Sequence, residues 1–295
     1  MSDESTSVKA DRFSPMPRHW LGKVGGSPWL LASATRVERW EVMLGLPLPL
    51  GLPRKPTPGE VIAALKIYIA LVAMADDKKQ ERNAGKHCLR TTYEEIQLYL
   101  KLSRAMVCEG LKLLEAADAI ERLGYKPLVY RIKGLDPKKP EEWKGHVKLP
   151  KGHLFGMRRY SSDLPIMLAD YPSRGKAAMN GLVIYLLLLS VCQRDTNVSL
   201  ISYDQIQKRA GLFSKDVRQA IDILVNHDLI SVLRVTDETT LEAFGLPLPT
   251  QALKGSPNVY LIKGVKGRRY NERINTLGDY VTVATSQQAK QDFSQ

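Results

Sequence analysis

The chain has 295 residues, 44% of them hydrophobic, and a formal net charge of +12, enough material for one large core or two small ones and a balance that favours polyanionic partners. The start, Met1 to Asp11, is polar and partly acidic, and the longest apolar runs, Val61–Ala75 (interrupted by Lys66) and Leu182–Cys192, fall short of the ~20 residues that span a bilayer, so neither a secretory leader nor a membrane segment is expected. Three cysteines, Cys88, Cys108 and Cys192, lie far apart without a CxxC, an odd and sparse set from which no disulfide framework and a cytoplasmic setting are expected.

Residues 1–59 read as an N-terminal extension, disordered over 1–19. Residues 20–59 carry Trp20, Trp29, Trp40 and the stretch Gly45–Pro53, suited to capping the following unit or meeting a partner. A first domain is read over 60–134. It opens with an apolar helix around Leu65-Lys-Ile-Tyr68 and a short strand that places Cys88 in the core. Thr92-x-x-Glu95 has capping-box form, in which the cap oxygen takes an orphan N–H and the glutamate returns the bond. Ser103 then caps a helix whose apolar positions are Val107, Leu111 and Leu114. A strand over Ala119–Leu123, a turn at Gly124–Pro127 and a strand over Val129–Gly134 close the unit.

Residues 135–180 read as a basic linker, with Lys138, Lys139, Lys144, Lys148, Lys151, Arg158 and Arg159 beside His146 and His153. The second domain is read over 181–283. Leu182-Val-Ile-Tyr185 opens it, Ser202-x-x-Gln205 repeats the capping box, and Ser214 is expected to cap an amphipathic helix. Val217, Ala220, Ile221, Leu224 and Val225 follow the 3.6-residue period there, with Lys215, Asp216, Arg218, Gln219 and Asp222 opposite. A strand over Leu229–Val235, a long loop over Thr236–Asn258 and a strand over Val259–Gly264 follow. Residues 284–295 read as a flexible tail.

These pieces recur in the same order, closing on Val129-Tyr-Arg-Ile-Lys-Gly134 and Val259-Tyr-Leu-Ile-Lys-Gly264. The order helix, strand, helix, helix, strand, loop, strand resembles the winged-helix superfamily. The fold class expected is therefore α+β, mainly helical, with two tandem winged-helix domains. The resemblance implies that the third helix of each unit enters a major groove and that the loop between the last strands touches the backbone. Two nonidentical units in one chain resemble plasmid-type replication initiators, whose C-terminal unit reads repeated origin sites while the N-terminal unit holds the backbone and dimerises. A transcription regulator of a mobile element or phage is the alternative reading. A partition or interaction protein with paired winged helices is a third, disfavoured by the positive charge.

No Walker A, GxGxxG, HExxH or GxSxG sequence is present, so the chain is read as no enzyme, with no cofactor and no metal. The spacing of His87, Cys88 and Cys108 fits no common zinc pattern. Double-stranded DNA is the expected partner. Arg218 can fork onto guanine and Gln219 can pair with adenine, with Ser214 and Lys215 at the helix start. Phosphate contacts are expected from Arg104, Lys126, Arg131 and Lys133 in the first unit, and from Lys254, Lys263, Arg268 and Arg269 in the second. Met106 and Cys108 make the matching face of the first unit less polar. They are expected to pack between the units or in a homodimer. Replication or transcription machinery completes the expected partners.

Overall fold

The computed structural model describes residues 14–17, 56–77, 88–125, 128–134, 146–155, 167–192, 198–234 and 258–264. They form an α+β structure of helices with small antiparallel sheets. The chain divides into two compact units, and among the described residues the division falls between Gly175 and Lys176.

The first unit begins with β1 (Ser14–Pro17), inside the stretch expected to be disordered. Its buried Met16 and its pairing with β5 (His146–Leu149) explain why it is ordered. Helix α1 (Pro58–Asp77) starts on a box the sequence reading missed. The Glu60 carboxylate accepts from the Thr57 N–H at 2.7 Å, and Thr57 Oγ1 accepts from the Glu60 N–H at 3.4 Å. Pro58 suits the first helical position, where no N–H is needed. At 20 residues this helix does reach the length of a membrane span, contrary to the shorter run read from sequence. Its residues Val61–Ala75 are buried within the unit, as in a core helix that is apolar all round.

Next come β2 (Cys88–Arg90), α2 (Tyr93–Leu100), α3 (Arg104–Ala116), β3 (Ile120–Tyr125) and β4 (Leu128–Ile132). The sheet order is β2-β4-β3. β3 outlasts its expected end because a bulge between Arg122 and Gly124 lets Gly124 and Tyr125 keep pairing with Val129 and Leu128. The region expected to be a linker is built into this unit where it is described. It holds β5, α4 (Lys151–Phe155) and α5 (Met167–Asp170), with Leu149, Leu154, Phe155 and Leu168 buried. Lys151, read from sequence as part of the basic linker, is buried as well.

In the second unit α6 (Lys176–Val191) starts before the expected boundary at 181 and is buried from Ala178 to Ser190. It is followed by β6 (Val198–Ile201), α7 (Tyr203–Ala210), α8 (Ser214–Asn226), β7 (Ile230–Arg234) and β8 (Asn258–Ile262). The sheet order β6-β8-β7 repeats that of the first unit, and the register repeats with it. Leu89 and Arg122 flank Tyr130 as Ser199 and Val232 flank Tyr260. Ile120 opposes Ile132 as Ile230 opposes Ile262.

Both expected capping boxes form, at Thr92/Glu95 and at Ser202/Gln205. Both second helices end on a left-handed residue, Lys101 (φ 52°) and Gly211 (φ 67°), which releases the chain into the next helix. Lysine is strained there and glycine is not.

Candidate nucleic-acid interface

Residues match at one constant spacing from Cys88/Val198 to Ile120/Ile230, and this corrects one expected cap. Leu102 and Leu212, both buried, hold the same place, so Ser103 corresponds to Phe213 and Arg104 to Ser214. Ser103 caps α3, its hydroxyl accepting from the Met106 N–H at 3.3 Å. Phe213 is the cap residue of α8 and gives no side-chain hydrogen bond, and Ser214 is the first helical residue.

Helix α8 is the clearest candidate surface. Val217, Ala220, Ile221 and Leu224 face the core, with α6 beneath them. Ser214, Lys215, Arg218, Gln219, Asp222 and Asn226 are exposed on the other side. Lys208 and Arg209, which the sequence reading passed over, are exposed in the last turn of α7, just before the Gly211 turn into α8. The signal for them was positional: basic residues suit a helix C-terminus, and this C-terminus adjoins the start of α8. Among the described residues Lys208, Arg209, Lys215 and Arg218 have no carboxylate partner.

The cations expected to hold phosphate in the first unit are placed differently. Arg104 pairs with Glu94 at 3.2 Å and lies 5.5 Å from the centre of the Tyr93 ring. The Glu94 carboxyl is held below its ordinary range, first by a hydrogen bond with its own backbone amide and then by Thr92 and Arg104. Arg131 pairs with Glu121 at 2.5 Å across the β3–β4 ladder, and Lys133 pairs with Asp118. Lys101 pairs with Asp170 at 2.6 Å, Lys112 with Glu109 at 2.8 Å, and Arg122 with Glu115 at 2.5 Å.

Lys263 of the second unit repeats the Lys133 arrangement, pairing with Asp228 at 3.5 Å. Asp118 (φ 59°) and Asp228 (φ 52°) both occupy the left-handed turn between the third helix and the next strand. The backbone bonds Lys133 N–H to Ala119 O and Lys263 N–H to Leu229 O are both 3.1 Å. Lys133 and Lys263 thus each meet an aspartate at the same place in their own unit. Lys126, Lys254, Arg268 and Arg269 lie outside the described residues, as do residues 236–257 of the expected long loop.

Met106 and Cys108 are half-buried. The Met106 methyl lies beside Gly59 at the start of α1, 3.6 Å from where a Cβ would stand. Its packing is thus within its own unit, a third possibility beside the two expected from sequence. Among the described residues no group of three metal-ligating side chains gathers.

Comparison with protein-family models, with curated proteins and with solved structures finds no match to this chain.

Proposed function

We propose that this chain binds double-stranded DNA sequence-specifically through two winged-helix units arranged as in plasmid-type replication initiators. One observation carries the reading: α8 turns unneutralised Lys215 and Arg218, with Gln219, away from the core, and Lys208 and Arg209 adjoin its start. An α-helix fits the major groove, and helix-turn-helix modules place the N-terminal residues of the second helix on base edges. Arg218 would donate to guanine O6 and N7, and Gln219 would pair with adenine N6 and N7. Lys208, Arg209, Ser214 and Lys215 would hold phosphates, which set register without reading sequence. The repeated element order and sheet order support the winged-helix assignment. The ion-paired surface of the first unit supports an assembling role for it.

The test is a competition titration of wild type and Arg218→Ala on a selected site and a scrambled duplex at one salt concentration. The variant should lose about 1–3 kcal/mol on the selected site alone. Equal loss on both duplexes, or no binding of wild type at low salt, overturns the reading. Mapping of bound DNA in the native host separates the finer alternatives. An array of repeats marks an initiator, and a single palindrome over a promoter marks a regulator.

A further inference from the structure

Helix α8 carries two acids, and they are placed in opposite ways. Asp216 pairs with Lys176 at 3.0 Å and its side chain is only 16% exposed. Asp222 is exposed and has no cationic partner among the described residues. At about 100° per residue, Asp222 falls opposite the Val217–Ala220–Ile221–Leu224 stripe. It stands one turn beyond Arg218 and Gln219 and two turns beyond Lys215, in the middle of the exposed face. Arg218 is four residues before it, yet the two form no ion pair; the acid-first order is the favoured one at that spacing.

A free carboxylate at the centre of a cationic face lowers affinity for any polyanion. Near DNA it accepts hydrogen bonds only, and every phosphate repels it. In the major groove the donors are the amino groups of cytosine and adenine, and the adenine amino group lies beside the N7 acceptor. Cytosine N4 is the partner that offers a donor without that repulsion.

We propose that Asp222 is a specificity-determining residue that accepts from cytosine N4 and penalises sequences lacking it there. This rests on the DNA-reading role of α8. The test uses the full chain and a randomised duplex library, enriched separately by wild type, Asp222→Ala, Asp222→Asn and Arg218→Ala. Wild type should enrich a motif with a cytosine that Asp222→Ala no longer prefers, a loss of about tenfold at that position. Both Asp222 variants should bind a scrambled duplex several-fold more tightly than wild type, since each removes the repelling charge. The proposal is overturned if Asp222→Ala enriches the wild-type motif unchanged, or if the position it relaxes is not cytosine. If Arg218→Ala relaxes one position while the Asp222 variants change none, only the role of Asp222 falls. If wild type enriches no motif, the DNA-reading role falls with it.

Discussion

Arg104, Arg122 and Arg131 of the first unit each meet a carboxylate, and at the matching places the second unit has Ser214, Val232 and Leu261. Two of their acidic partners change in step: Glu115 becomes Val225 and Glu121 becomes Ser231, while the place of Glu94 keeps an acid, Asp204. Lys133 and Lys263, by contrast, keep both residue and partner. Two copies of one plan in a single chain act as mutual controls. What both retain is what the backbone requires, and what only one retains is free to serve another end. By that standard the free cations around α8 belong to the second unit alone, and the pairs closed by Arg104, Arg122 and Arg131 belong to the first.

The deepest difference is where the first and third helices cross. A Cβ on Gly110 would lie 2.6 Å from Ile67 Cδ1, 3.1 Å from the Ala64 backbone nitrogen and 3.2 Å from the Ala63 carbonyl carbon. The second unit has Ala220 at this place, fully buried. Gly110→Leu should therefore destabilise the first unit by about 3 kcal/mol through overpacking. Ala220→Gly should cost the second about 1 kcal/mol, chiefly in helix propensity. Hydrogen exchange on α1 and α6 assigns each loss to its unit. Equal losses would remove the contrast in packing.

A smaller effect depends on pH. Lys66 is buried in α1, and its ammonium donates to the carbonyls of Tyr171 and Ala169 and to Ser173 Oγ. Burial lowers its pKa to about 8, partly opposed by Asp170. The second copy has Val183 at the matching place. An unfolded lysine titrates near ~10.4, so between these values the unfolded chain binds more protons and stability rises with pH. Wild type should gain on the order of 1–3 kcal/mol from pH 8 to pH 10 in urea unfolding. Lys66→Met should lose that slope. A variant with the wild-type slope would exclude Lys66 as its source. Above about pH 10 the sign reverses. Burial raises the folded-state pKa of Tyr68, Tyr171 and Tyr185, so their phenols ionise first in the unfolded chain.

The smallest expected effects concern the repeated ion pair. Lys133→Ala and Lys263→Ala should each cost under about 1 kcal/mol of stability, as exposed pairs do. Neither should change the salt dependence of DNA binding. A slope shallower by ~0.9 in either variant would make that lysine a phosphate contact after all. Arg104→Ala should likewise leave DNA affinity within about twofold, and a loss as large as that of Arg218→Ala would erase the division between the units.

The repeated element order was legible because each helix start carries its own chemistry. Thr92/Glu95 and Ser202/Gln205 are short-range signals that no tertiary contact needs to complete. Ser214 misled because a serine before an apolar run looks like a cap, whereas burial of Leu212 moves the helix start by one residue. The β1–β5 pair was invisible because its strands are far apart in sequence and Pro15 and Pro17 disguise one of them. The ion pairs of the first unit were hidden for a related reason: Glu94, Glu121 and Asp118 lie ten to fifteen residues from the cations they meet.

The seat of Lys66 also dictates how the molecule can be cut. A fragment ending at Gly134, where the repeat ends, would keep this lysine in the middle of an apolar helix. It would lack the Tyr171 and Ala169 carbonyls that receive its protons. The lysine would also lose the Tyr171 ring, whose centre lies 5.9 Å from its ammonium. Such a piece would hold a stranded cation in a half-open core and would aggregate or unfold. The smallest portion of the first half worth expressing by itself extends through Ser173.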